Sequence, residues 1–322
     1  AALAVLAADN PDATVNEITS QLTGRHLRNF PGDTCDASTD VTCGAGIVQI
    51  ATGPFPECQP KLFQTAIPGP KLYVFDPLSN TYSAVSATNE GGNPNAIGYN
   101  MADHYIWGLD GNNLVRINND GEYDKFADLG INWNSGDFIA ENQLLVANSN
   151  SNAWKQIDVS NPNDPTVEAG EWNRVDGATY GAADFTVYEG FAYGLSHTQT
   201  DTLYVIDLNS NSIQARSVER QGGATFASGE GFGAAYSDKA GNLYFHQNKN
   251  FVWLIRAGAL DSDPVPIERL GDTAPTDSSG QVLGIPNDGA SCPDAPSAFS
   301  AEITNEDSPT VSADQATLTA DV

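Results

Sequence analysis

The chain has 322 residues, with 41 acidic and 14 basic side chains and a formal net charge of -27. This charge repels phosphate backbones and anionic lipid headgroups, so nucleic acids and anionic membranes are poor candidates as partners. Thirty Gly, eighteen Pro and runs rich in Val, Ile, Tyr and Phe are typical of an all-β chain with many tight turns. An acidic surface suits salty or calcium-containing surroundings, and it also serves as a plain solubility device.

Residues 1–55 form an N-terminal arm of different composition. The arm opens with "AALAVLAA", the longest apolar run, which is too short to span a membrane and resembles the end of a signal peptide. The next stretch, "NPDATVNEITSQLTGRHL", predicts one short helix with Asp9 or Asn10 as its N-cap and Pro11 in its first turn. A stretch rich in Gly, Pro and Thr follows, and it contains Cys35 and Cys43. We therefore expect an extracellular protein.

The central part of the chain repeats one phrase of apolar, aromatic and acidic residues. The phrase "KLYVFDPLSN" at 71–80 returns as "TLYVIDLNSN" at 202–211, and weaker copies bring the number to five. A second apolar run precedes each copy, and a small, Gly-flanked segment lies further upstream in four of the five units. A short polar strand follows the copies, as in "TYSAV" at 81. The unit is therefore four strands in 40 to 50 residues.

A four-stranded sheet of this length cannot bury both of its faces alone, so the repeats must pack face to face. Radial packing of such sheets gives a β-propeller, and the alternative is an open β-sandwich array. Small residues in the first strands fit near a crowded axis. The aromatic residues of the middle strands, among them Trp107, Trp154 and Trp253, are expected to fill the gaps between blades.

The first unit lacks an inner strand of its own, because Gly and Pro interrupt residues 44–57. Residues 279–292 supply the missing strand, so the ring closes by pairing its N- and C-terminal strands. We predict five blades over residues 56–292, or six if residues 36–57 supply strands. The four cysteines allow three pairings. Closure brings Cys58 close to Cys292 and leaves Cys35 to pair with Cys43 in a small local loop.

Four phrases in the ring carry a family resemblance. They are "NAIGYN" at 95, "ADF" at 183, "GNLYF" at 241 and "NDGASC" at 287. They resemble phrases of a family of secreted bacterial and fungal β-propeller domains without an assigned function, over about residues 56–292. The resemblance implies the fold and an extracellular setting. It implies no catalytic residue, because these phrases mark strands and turns.

Residues 293–322 form an acidic C-terminal arm rich in Ser and Thr. The segment "TVSADQATLTADV" has the composition of an added strand, which predicts that the arms pack on a second copy or on another extracellular protein. A head-to-tail contact of this kind generates a ring or a filament. The alternative is that both arms fold back on their own propeller.

Two acidic residues are the first candidates for chemistry. Asp137 and Asp184 lie at the start of inner strands in consecutive blades, so we expect their carboxylates to converge near the axis. Paired carboxylates cleave glycosidic bonds and also bind calcium. Such residues more often cap turns or bind backbone N–H groups of a neighbouring blade. The other units offer Ala96 and Gly233, so the pattern supplies no third acid.

Two histidines and four other side chains are weaker candidates. His197 and His246 end the second strands of adjacent blades and are expected at a common rim. A polysaccharide lyase needs a His or Tyr base and an Arg, for which Tyr244 and Arg256 are available. Loops between blades hold Trp133 and Trp172, the better candidates for exposed sugar contacts.

The sequence contains no serine nucleophile elbow, Walker loop or dinucleotide fingerprint, and no catalytic set recurs among the units. The resulting prediction is a non-enzymatic, extracellular structural or adhesive propeller without a cofactor, which assembles with copies of itself or other surface proteins. The alternatives are a polysaccharide-active enzyme at the axis and a calcium-stabilised propeller that binds glycans.

Overall fold

The structure is a computed structural model of the chain, and it describes most of residues 54–299 and two short strands of the N-terminal arm. The arm strands are β1 (Leu27–Arg28) and β2 (Ile47–Val48), which pair with each other. The helix predicted after Asn10 and the Cys35–Cys43 pairing lie outside the described residues. The described residues are 27–28, 47–48, 54–55, 58, 61–66, 71–85, 92–198, 200–283, 287–295, 297 and 299.

Twenty of the remaining strands form five antiparallel sheets of four strands each, here called blades 1 to 5. Each blade is described from the inner strand outward. Blade 1 contains β23 (Asn287–Ser291), β3 (Leu62–Ala66), β4 (Lys71–Asp76) and β5 (Thr81–Ala84). Blade 2 contains β6 (Asn95–Tyr99), β7 (Ile106–Asp110), β8 (Asn113–Ile117) and β9 (Tyr123–Asp128). Blade 3 contains β10 (Ser135–Ala140), β11 (Gln143–Ala147), β12 (Ala153–Asp158) and β13 (Thr166–Glu171).

Blades 4 and 5 are joined at their outer strands. Blade 4 contains β15 (Thr186–Tyr188), β16 (Phe191–Leu195), β17 (Thr202–Asp207) and β18 (Ser212–Arg220). Blade 5 contains β19 (Phe232–Ser237), β20 (Leu243–Gln247), β21 (Val252–Ile255) and β22 (Val265–Leu270). The last residues of β18 pair in parallel with the start of β22, and β14 (Asn173–Arg174) pairs in parallel with the start of β18. Short 3₁₀ helices span Gln221–Gly223 and Ala259–Asp261.

The inner strands contact one another in a closed ring, in the order β23, β6, β10, β15, β19 and back to β23. The backbones approach closely at the axis. A Cβ atom on Gly136 would lie 2.6 Å from the Ala96 carbonyl oxygen, and one on Gly289 would lie 2.6 Å from the Ala235 carbonyl oxygen. These positions therefore need glycine. The chain is a five-bladed β-propeller, as predicted.

Each gap between neighbouring blades holds a cluster of buried apolar side chains. Trp107 lies between blades 2 and 3, and Trp253 lies between blades 4 and 5, both with almost no exposure. Full burial of such a side chain contributes about 2–3 kcal/mol. Trp154 is only partly buried, and it packs against the cluster between blades 3 and 4.

The repeated phrase forms a strand followed by a turn that reaches the preceding blade. Its turn ends at Asn80 in blade 1 and at Asn211 in blade 4, both with positive φ (53° and 51°). Asn211 Nδ2 donates to the Glu171 carbonyl oxygen of blade 3 at 2.9 Å. Asn80 Nδ2 donates to the Thr273 carbonyl oxygen, which follows blade 5, at 2.8 Å. The phrase thus builds a strand and also fastens one blade to the next.

The ring closes as the sequence predicts. Inner strand β23 pairs with β3 over all five of its residues, so the end of the propeller completes its first blade. A disulfide joins Cys58 to Cys292, with a Cα–Cα distance of 5.4 Å. Strand β2 pairs with β1 in a separate two-stranded sheet, so the described part of residues 36–57 adds no sixth blade.

The chain continues past Cys292 along blade 5. The Ala295 carbonyl oxygen accepts from the Lys239 N–H at 3.0 Å, and Ser297 Oγ accepts from Asn242 Nδ2 at 2.9 Å. Phe299 stacks on Tyr244 with a centroid distance of 6.3 Å. The described start of the C-terminal arm therefore packs on its own propeller. No helix among the described residues is long and apolar enough to span a membrane.

Candidate functional site at the propeller axis

A cavity of about 620 Å³ lies on the axis, on the face where the inner strands end. All five blades, or the segments that directly follow their inner strands, contribute to its wall. The side chains that line it include Tyr99, Asp137, Phe138, Ile139, Glu141, Tyr188, Glu189, Lys239 and Asp294.

Tight turns place two carboxylates at the cavity mouth. Glu141 lies in the two-residue turn between β10 and β11, and Glu189 lies in the matching turn between β15 and β16. Glu189 has φ 47° and the following Gly190 has φ 81°, which is the backbone of a type I′ hairpin turn. Both glutamates are exposed.

The charges on the cavity wall are mostly negative. Asp294 lies 3.9 Å from the Lys239 ammonium group, which is the basic side chain of the wall. Within the described residues, neither Glu141 nor Glu189 forms an ion pair with a Lys or Arg. The mouth therefore carries uncompensated negative charge.

Asp137 is buried at the cavity wall and binds the next blade. Its Oδ1 accepts from the Phe138 N–H and its Oδ2 accepts from the Val187 N–H, both at 2.8 Å. Thr186 Oγ1 donates to Oδ2 at 3.3 Å. Burial raises the pKa of Asp137 to about 7, although these donors act in the opposite direction.

Asp184 and Asp288 make the same kind of link and do not line the cavity. Asp184 Oδ2 accepts from the Ala235 N–H of blade 5 at 2.7 Å, and Asp288 Oδ2 accepts from the Ile97 N–H of blade 2 at 2.9 Å. The two carboxyl groups also hydrogen-bond to each other, which requires a proton between them. Burial raises the pKa of both groups well above the usual range.

The expectation that the inner strands supply no third acid is wrong. Asp288 occupies β23, the strand that the end of the chain contributes to blade 1. The signal was present in "NDGASC", where the aspartate precedes a small residue near the start of a closing strand. The three carboxyl groups fasten blades together, which is the structural role considered for such residues. Among the described residues, no three His, Cys, Asp or Glu side chains are arranged to hold a metal ion.

His246 lies in a buried polar cluster between blades 1 and 5. Tyr82 Oη lies 2.7 Å from its Nδ1, and Gln64 Oε1 lies 2.9 Å from the same atom. Burial lowers the pKa of His246 to about 4, so the ring is neutral at neutral pH. His197 Nδ1 contacts the Gly181 carbonyl oxygen. His246 is fully buried, so it does not lie at an accessible rim with His197.

The other candidates take part in packing. Trp172 is 4% exposed and stacks edge-on against Tyr180, so it is not an exposed sugar contact. Trp133 is partly buried, with the Lys155 ammonium 5.1 Å from its ring centroid. Tyr244 is buried and donates to Asp238.

Arg256, the arginine considered for a lyase, forms an ion pair within blade 5. Its Nε lies 2.6 Å from Glu268 Oε1, and its guanidinium lies 5.3 Å from the Phe299 ring centroid. The stretch "NNDGEYD" at residues 118–124, which resembles part of a calcium-binding loop, forms a turn in which Asn118 Oδ1 accepts from the Asp120 and Glu122 N–H groups.

Comparisons with known proteins identify a family without an assigned activity. A family model described as "Repeat of unknown function (DUF6923)" matches residues 70–294. No curated protein matches the chain.

Several solved structures are weakly similar to the chain. A protein of unknown function from Bacteroides thetaiotaomicron has 13% identity and a TM-score of 0.43, with 74% of this chain and 70% of that chain covered. A functionally unknown protein from Desulfotomaculum acetoxidans has 17% identity and a TM-score of 0.39, with 71% and 74% covered. An inactive virginiamycin B lyase from Staphylococcus aureus, solved with quinupristin, has 15% identity and a TM-score of 0.36, with 67% and 71% covered.

Proposed function

This chain belongs to the DUF6923 family of repeats of unknown function, and we propose that it is a non-catalytic, extracellular binding and adhesion module with its ligand site in the axial cavity. The volume of about 620 Å³ is typical of a site for a small ligand. The Cys58–Cys292 disulfide supports an extracellular setting, because such bonds persist in oxidising compartments.

One observation carries the non-catalytic part of the proposal. The carboxyl groups of Asp137, Asp184 and Asp288 accept backbone N–H groups of a neighbouring blade. A hydrogen bond of this kind contributes about 0.5–1.5 kcal/mol, and its loss would leave a buried N–H unpaired, so these acids stabilise the ring. His246, which was considered as a catalytic base, is buried and neutral at neutral pH.

A second candidate function rests on Asp137. This carboxyl group lines the cavity and its pKa of about 7 allows it to hold a proton near neutral pH, as a general acid must. Glu141 lies on the same wall and offers a second carboxylate. The arrangement supports a glycoside-cleaving enzyme at the axis.

A polysaccharide panel separates the two functions. The wild-type chain and an Asp137→Asn variant are incubated with neutral and acidic polysaccharides, and new reducing ends and unsaturated products are measured. We expect no turnover by either protein. Turnover by wild type that Asp137→Asn abolishes without loss of folding would overturn the non-catalytic proposal.

The adhesive part of the proposal concerns the arms, which we infer to assemble with copies of this chain or other extracellular proteins. Because residues 295, 297 and 299 pack on blade 5, the truncation that tests this removes residues 300–322 only. Light scattering should give a larger particle for the full chain than for the truncated one. Equal masses over a wide concentration range would count against self-assembly through this arm.

A further inference from the structure

The axial cavity combines uncompensated acidic side chains with aromatic and aliphatic ones. Its ionisable side chains are four acids, Asp137, Glu141, Glu189 and Asp294, and one base, Lys239. Since Lys239 lies next to Asp294, the net charge left at the mouth comes from Glu141 and Glu189.

The apolar part of the same wall lies on the two blades that carry these glutamates. Phe138 and Ile139 precede Glu141 in blade 3, and Tyr188 precedes Glu189 in blade 4. Tyr188 Oη donates to Glu189 Oε1 at 3.2 Å, so the ring and the carboxylate are held together. Aromatic faces attract cations, and this attraction is stronger where water is partly excluded.

The charge of the whole chain also favours cations over anions in the cavity. A formal charge of -27 lowers the local concentration of anions and raises that of cations near the cavity. An anionic ligand such as a uronate would meet two unpaired carboxylates at the mouth. A neutral ligand would leave both of them uncompensated.

We propose that the cavity binds a small organic cation, with an ammonium group at the Glu141 and Glu189 turns and its apolar part against Phe138, Ile139 and Tyr188. This inference rests on the proposed function and adds the chemical class of its ligand.

The probe is choline, compared with its neutral isostere 3,3-dimethylbutan-1-ol, in NMR titrations of the full chain. We expect choline to bind at least about tenfold more tightly than the neutral alcohol. The double variant Glu141→Gln/Glu189→Gln should weaken choline binding by about tenfold, the effect of losing two exposed charge pairs. The matched control, Glu168→Gln/Glu171→Gln on β13, removes the same charge away from the cavity and should change it less than about twofold.

A variant that blocks the cavity distinguishes failure of the cation inference from failure of the axial ligand site itself. Ala140 is exposed and lines the cavity, so Ala140→Trp fills the mouth without disturbing the core. If neutral ligands bind as well as choline and Ala140→Trp abolishes their binding, the cavity is a site and the cation inference is overturned. If choline and a panel of neutral oligosaccharides all fail to bind, or bind equally to Ala140→Trp, the axial site of the proposed function is overturned as well.

Discussion

The disulfide between Cys58 and Cys292 closes a loop of 234 residues that contains nearly the whole ring. Such a cross-link removes conformational entropy from the denatured chain, and the effect grows with the logarithm of loop length. For a loop of this size the chain-entropy model gives about 5 kcal/mol. The pairing of β23 with β3 involves five residue pairs in addition to the disulfide, so we expect it to persist after reduction. We therefore predict that the reduced propeller folds, with a free energy of unfolding lower by about 5 kcal/mol.

The measurement uses a Cys35→Ser/Cys43→Ser background, so that Cys58–Cys292 is the one disulfide that can change. Guanidinium unfolding is followed by tryptophan fluorescence, with and without a reductant. The dependence of stability on denaturant should become steeper after reduction, because the denatured chain without its cross-link exposes more surface. A Cys58→Ser variant should match the reduced protein and should not respond to the reductant.

A difference below about 1 kcal/mol with an unchanged denaturant slope would refute this reasoning. It would mean that the denatured chain keeps its two ends together without the bond. Loss of folding on reduction would refute it in the other direction, because the strand pairing would then be unable to close the ring.

Three further predictions concern fastenings between blades. Burial raises the pKa of Asp137 from 3.8 to about 7, so the stability linked to its protonated form is complete below pH 3.8 and is lost as the pH rises through 7. Between pH 3.8 and pH 7 the free energy of unfolding of wild type should fall by up to about 4 kcal/mol more than that of Asp137→Asn, as measured by urea titrations at a series of pH values. Parallel plots of unfolding free energy against pH for the two proteins would contradict this. Gly136→Ala places a Cβ atom 2.6 Å from the Ala96 carbonyl oxygen and should lower the free energy of unfolding by about 1–3 kcal/mol in urea titrations. An unchanged urea midpoint would show that the inner strands can move apart without cost. Asn211→Ala and Asn211→Gly both lose the bond to Glu171, but Ala also opposes the positive φ, so it should be about 1 kcal/mol less stable than Gly; equal stabilities would exclude this backbone effect.

The blade pattern was readable from the sequence because each strand type has its own composition. Middle strands such as β4 and β17 keep the same order of apolar and turn residues, and a four-stranded unit leaves few ways to bury its faces. Ring closure followed from the missing strand of the first unit. The Cys58–Cys292 pairing then followed from closure and is confirmed.

The outer connections between blades were not predicted. Strand β18 runs for nine residues, and its last three pair with β22 of the next blade. This extension depends on where β22 lies in space, and no local pattern in "SIQARSVER" distinguishes it from a shorter strand.

The cavity also depends on details that the sequence pattern does not fix. A register shift between Phe138 and Ala140 changes how β10 faces the axis near its end. Glu141 follows this shift directly and lines the cavity together with Glu189, which lies in a turn of a different blade. Sequence reasoning looked for acids inside the strands and therefore found Asp137 but missed the turn residues.

The first and last strands of the propeller share one sheet, so the two polypeptide segments that leave the ring depart from the same blade. A pulling force applied through these segments passes from Cys58 to Cys292 across their sulfur–sulfur bond. Blades 2 to 5 lie within the bridged loop, so they carry none of that tension once residues 295, 297 and 299 have been pulled away from blade 5. As a link in an adhesive chain, the module would therefore behave as a short covalent connector that keeps its ring intact under load.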